Sequence, residues 1–140
     1  MSQDVLEQQA LASSNKAIAC SVRQEYESAL MHWRSALEPV RHDPVKYPIA
    51  YWIQSGIGDM LYRLQDYEGC IRASLEAKDW ALANKVPLPI ICIGRSYLAL
   101  GDIDRGISYI QEARRMAGNS VLDALTDEEI NRISERMRGG

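Results

Sequence analysis

Apolar positions recur along most of this chain at the spacing of helices with one buried face. From Glu25 to Leu37 the set Tyr26, Ala29, Leu30, Trp33 and Leu37 follows i, i+3, i+4, i+7. Pro39 ends that helix, because proline has no amide hydrogen and its ring clashes with the preceding turn. Before it, Leu6, Ala10, Ala17 and Cys20 make a thinner stripe over about Val5 to Val22, which Ser13-Ser14-Asn15 is expected to interrupt. Glu38 to Tyr47 reads as a linker, with Pro39 and Pro44 disfavouring helix at the residues before them. Pro48 then suits the first turn of a helix running to Leu64 through Ile49, Trp52, Ile53, Ile57 and Leu61. Asp66 is an N-cap for a partner helix carrying Tyr67, Cys70, Ile71, Leu75 and Ala77 to about Ala83.

A second such pair follows. Asn84 to Leu88 links onward, Pro89 opens a helix, Gly101-Asp102 closes it and caps its partner, and that partner runs from Ile103 to about Met116. Gly118-Asn119 stops it. Thr126 with Glu129 three residues on is a capping box, and behind it Ile130, Ile133 and Met137 make one narrow stripe.

The two pairs match each other at an offset of 36 residues: Gly58 falls on Gly94, Leu61 on Tyr97, Asp66 on Asp102, Cys70 on Gly106, Ile71 on Ile107 and Ala77 on Ala113. A period of that length signals stacked helical hairpins. The expected fold is all-α, a single domain of about three helix pairs: a degenerate pair over 5–38, a linker over 38–47, repeats over 48–83 and 87–117, and a capping helix over 126–138 with its polar face outward. Gly56, Gly58 and Gly94 each cost about 1 kcal/mol against alanine inside a helix. Glycine there predicts that a neighbouring helix approaches closely.

Small residues at the eighth and twentieth positions of each unit, an aromatic or leucine at the eleventh, Asp at the turn and alanine at the twenty-seventh resemble the tetratricopeptide repeat. Gly94, Tyr97, Gly101-Asp102, Gly106 and Ala113 carry the resemblance, as do Gly58, Leu61, Asp66-Tyr67, Cys70 and Ala77; in the first pair only Tyr26, Ala29, Trp33 and Ala36 do. The runs Trp52-Ile53, Ile57-Gly58-Asp59 and Leu64-Gln65-Asp66-Tyr67, with Pro89-Ile90, Gly94-Arg95 and Leu100-Gly101-Asp102, are also similar to small bacterial tetratricopeptide-repeat proteins. Members of that group are often encoded beside polymorphic toxins and act as their immunity proteins. The resemblance implies a tetratricopeptide-like solenoid whose first helices line a concave groove. In that geometry Trp52, Ser55, Gly56, Asp59, Tyr62 and Arg63 face the groove, joined by Leu88, Ile91, Cys92, Arg95 and Ala99. The partner-binding set is Trp52, Ser55, Asp59, Tyr62, Arg63, Ile91 and Arg95, rich in the Trp, Tyr and Arg that dominate binding hot spots. The opposing reading puts Trp52 in the core and pairs Asp59 with Arg63 one turn on. A co-chaperone type of groove, which holds a terminal carboxylate with lysine and asparagine, is disfavoured, since Asp59 stands at the asparagine position.

Composition narrows the rest. The net charge is −3, and the only basic cluster, Arg132, Arg136 and Arg138, is ordinary for a last helix, so nucleic acid is not an expected partner. Cys20, Cys70 and Cys92 have no recurring spacing and sit inside apolar patterns, which suits buried thiols in a reduced cytoplasm. Met1-Ser2-Gln3-Asp4 carries no feature of a secretion signal, and no apolar run is long enough to span a membrane. His32 and His42 have no cysteine or carboxylate at metal-ligand spacing, and neither a phosphate loop nor a nucleophile elbow occurs. The expectation is a non-enzyme without cofactor, metal or small-molecule substrate that binds a cognate toxin or effector protein. A secretion chaperone or adaptor gripping an extended segment is the alternative.

Overall fold

A computed structural model describes residues 4–139; Met1–Gln3, part of the Met1–Asp4 stretch in which no secretion signal is expected, and Gly140 lie outside them. The described chain is helical throughout, without strands: α1 (Val5–Val22), α2 (Tyr26–Leu37), α3 (Ile49–Arg63), α4 (Tyr67–Asn84), α5 (Leu88–Ala99), α6 (Ile103–Ala117), a 3-10 helix (Asn119–Ala124) and α7 (Asp127–Gly139). Helices adjacent in sequence pack on one another, and α1 touches α3 while α3 touches α5. No helix is long and apolar enough to cross a membrane among the described residues.

The capping signals lie where they were read. Asp66 accepts from the Gly69 amide at 2.9 Å and Asp102 from the Arg105 amide at 3.3 Å, each satisfying an otherwise orphaned amide of a first turn. Thr126 and Glu129 exchange both capping-box bonds, at 2.8 and 3.1 Å. Asp66→Ala should therefore cost about 1 kcal/mol and lower the melting temperature by about 3 °C, measurable by thermal circular dichroism.

The interior glycines sit at helix crossings. A β-carbon on Gly94 would lie 2.8 Å from Ile110 Cδ1 and 3.1 Å from the Gly106 carbonyl, and one on Gly106 would lie 3.0 Å from the Gly94 carbonyl. Thus α5 and α6 touch backbone to backbone, each glycine making room for the other. Gly58 is likewise closed over by Ser74 and Cys70 of α4, and Gly56 by the Trp33 ring.

Three local readings change. Ser13-Ser14-Asn15 does not interrupt α1: Ser14 is fully buried in line with Ala10 and Ala17, a small residue on the face toward α2. Leu75 and Met137 leave the apolar stripes, at 44% and 60% exposure. Residues 119–124, which follow the expected stop at Gly118-Asn119, form the 3-10 turn that seats Val121 against α6.

Two clusters hold most of the buried apolar side chains among the described residues. One gathers Trp33, Ile53, Ile57 and Met60 with α1 and the linker; the other gathers Ile90, Ile91, Ile110 and Val121, with Ile130 and Ile133 of α7 packed against it. Tyr47 closes the linker back onto the start of α1, its hydroxyl donating to Asp4 at 2.8 Å. That bond lowers the Asp4 carboxyl below its ordinary value and raises the Tyr47 phenol. The three cysteines are free and buried.

Candidate functional site

The face formed by α3 and α5 leaves five of the seven candidate residues at least partly exposed, Ser55 and Ile91 being buried, and it gathers five of the seven into two groups. At one end is a cleft of about 190 Å³. Trp52 stands on its wall, partly buried, edge-on to Trp33 of α2 with ring centroids 5.1 Å apart and planes at 82°. Ser55 lines it although only 3% of the residue is exposed, and Asp59 completes the α3 side. Ile18 and Val22 of α1 and Leu88 of α5 edge the opening, and all three are exposed apolar side chains, Val22 at 78%.

At the other end, Tyr62 and Arg95 meet a residue from far along the chain. The Arg95 guanidinium lies 4.5 Å above the Tyr62 ring centroid. Its Nε donates to both carboxylate oxygens of Glu129, at 3.1 and 3.0 Å, and the Tyr62 hydroxyl donates to Glu129 Oε2 at 3.3 Å. Burial pushes the Tyr62 phenol up to about 12, partly opposed by the Arg95 charge. Burial also works against the charged Glu129, but hydrogen bonds from Arg95 and Thr126 outweigh it and hold the carboxyl below its ordinary value. Two further arginines of α7 extend the attachment. Arg132 donates to the Leu98 carbonyl at 3.1 Å, one of the last-turn carbonyls of α5, and Arg136 binds Asp104 through two bonds of 2.8 and 2.7 Å.

The remaining two candidates have other roles. Arg63 pairs with Asp59 at 3.2 Å, the i,i+4 pairing that the sequence allowed, and also donates to the Tyr26 hydroxyl at 3.2 Å while lying over that ring. Ile91 is 7% exposed and belongs to the core cluster beneath α7; its position on α5 turns inward, so its side chain does not face an open groove. Of the wider face, Cys92 is also buried, at 3%.

Sequence reasoning missed three contributors: the α1 residues at the cleft mouth, Trp33 as its inner wall, and Glu129. The capping box marked Glu129 as a local cap, which concealed its second set of partners. Among the described residues no cluster of His, Cys, Asp and Glu could hold a metal ion. No family model matches the chain, and no curated protein matches it.

Proposed function

We propose that this chain is a non-catalytic protein-binding module of tetratricopeptide-like architecture, and that it acts in the cytoplasm as an immunity protein for a cognate toxin. The observation that carries protein binding is the Trp52 cleft with its exposed rim of Ile18, Val22 and Leu88. Aromatic anchors surrounded by apolar surface are the usual energetic centre of a protein interface. The alternation of helix pairs with contacts between α1, α3 and α5 supports the repeat architecture. The immunity role rests on the resemblance of the Trp52–Tyr67 and Pro89–Asp102 runs to small proteins encoded beside polymorphic toxins.

With Tyr62 and Arg95 engaged by α7, the contact surface narrows to the cleft and its rim. The test is co-expression with the product of the adjacent reading frame. That product should kill cells alone, be harmless with this protein, and co-purify with it as a folded domain. A harmless neighbour overturns the immunity role. Capture of a short extended peptide in preference to a folded domain turns the function to a secretion chaperone.

A further inference from the structure

The Trp52 cleft has a chemistry that the rest of the face does not share. Ten residues line it, and Asp59 is the only one that carries a charge. Its walls are the rings of Trp33 and Trp52, and tryptophan offers the most attractive aromatic face to a cation. Asp59 gives Oδ1 to Arg63, while Oδ2 accepts no hydrogen bond among the described residues. A volume of about 190 Å³ is below the ~300 Å³ at which pockets begin to hold whole small ligands. It suits one long side chain.

The chain itself repeats the arrangement such a side chain would make. Arg63 sits between the Tyr26 ring and Asp59, Arg95 between the Tyr62 ring and Glu129, and Arg105 between the Tyr97 ring and Asp102. In each case a guanidinium covers an aromatic face and meets a carboxylate. The Trp52 cleft supplies the ring and a carboxylate oxygen with no cation inside it.

The geometry points to a subsite for a basic side chain, an arginine or lysine of the bound protein, inserted along Trp52 with its charge at Asp59 Oδ2 and its alkyl stem against Leu88 and Val22. This inference rests on the protein-binding reading and names the anchor that such a partner presents. Charge selects the occupant: an acidic side chain would meet Asp59, and an apolar one would desolvate Oδ2 without offering it a hydrogen bond, leaving Arg63 as the carboxylate's one cation.

The experiment titrates the full-length protein with N-acetyl-arginine methylamide and, separately, with the citrulline analogue, which has nearly the same shape without the charge. The indole N–H signals of Trp33 and Trp52 are followed by NMR. Trp80, which packs in the other core cluster, is the internal control. Binding near ~1 mM that moves Trp33 and Trp52 but not Trp80, with citrulline at least about tenfold weaker, is the expected result. Asp59→Asn, which leaves the tryptophans in place, should weaken the arginine probe by about tenfold. Equal binding of citrulline, movement of all three indoles alike, or no movement up to about 20 mM overturns the inference. Such a failure is separable from failure of the protein-binding reading, which co-purification with the adjacent gene product judges independently.

Discussion

Replacing Gly94 with leucine should lower the melting temperature by about 10 °C, or leave the protein unfolded at ambient temperature. The α-carbon of Gly94 lies so near α6 that even a β-carbon would come within 3.1 Å of the Gly106 carbonyl. That neighbour is backbone and cannot turn aside. A leucine adds three more carbons in the direction of Ile110, so α5 and α6 would have to separate along their crossing. Overpacking of a well-filled core costs typically 1–3 kcal/mol, and separation of two helices places this case at about 3 kcal/mol. Alanine at the same position provides the contrast. A lone β-carbon requires Ile110 to shift and the Gly106 carbonyl to give by a few tenths of an ångström, a cost offset in part by about 1 kcal/mol of helix propensity, so Gly94→Ala should melt between the parent and the leucine variant. Thermal circular dichroism and urea titration of both variants measure the difference. A leucine variant as stable as the parent would sink the close-crossing explanation for both Gly94 and Gly106.

The helices were legible because their signals are local. Period-3.6 apolar spacing, Asp66, Asp102 and the Thr126–Glu129 box all act within a turn or two, and each element begins within a residue or so of the place they mark. The close crossings were also readable, since a mid-helix glycine has few other reasons to persist. The break expected at Ser14 does not occur, for the opposite reason. Out of context, a run of Ser-Ser-Asn favours turns, and only the packing of α1 on α2 shows that a small hydroxyl side chain fits the buried face. The site was legible in part. Trp52 and Asp59 could be placed on one helix face by spacing, but Trp33 reaches the same cleft from α2, and Ile18 and Val22 reach it from α1. Those meetings depend on how helices cross, which no local pattern encodes. Glu129 lies 34 residues from Arg95 and 67 from Tyr62, and a complete local role as a cap gave no reason to seek a distant one.

Glu129→Ala should release α7 from the body of the protein while α1 to α6 stay folded. The helix is unusual here in burying no residue of its own. Ile130 and Ile133 give it a shallow apolar seat, and its best-shielded polar fastening is Glu129, which joins the Thr126 cap, the Arg95 guanidinium and the Tyr62 hydroxyl, while the Arg136–Asp104 pair is exposed. The Arg95–Glu129 pair is well shielded, with side-chain exposures of 20% and 12%. Truncating the acid leaves a half-buried guanidinium without its partner, which is where loss of one member of a pair is most costly. With partial solvent screening, about 2 kcal/mol of local stability is expected to go, so amide exchange over α7 should quicken about thirtyfold. Thr126→Ala separates the two roles, since it removes one capping bond and leaves the Arg95 pair; its effect should be smaller. Acid should act in the same direction as truncation. The folded Glu129 carboxyl is held below its ordinary value of 4.5, so its contribution is complete above that pH and is lost as pH falls through the lower folded value. Exchange protection of α7 should therefore decline below pH 4.5 in the parent, and that share of the decline should vanish in Glu129→Ala. A fall of equal depth in the variant would mean that other carboxylates hold the helix, Asp104 against Arg136 first among them. If α7 keeps its protection in Glu129→Ala at neutral pH, the apolar seat of Ile130 and Ile133 is sufficient, and the ion pair orients Arg95 over Tyr62 without fastening the helix.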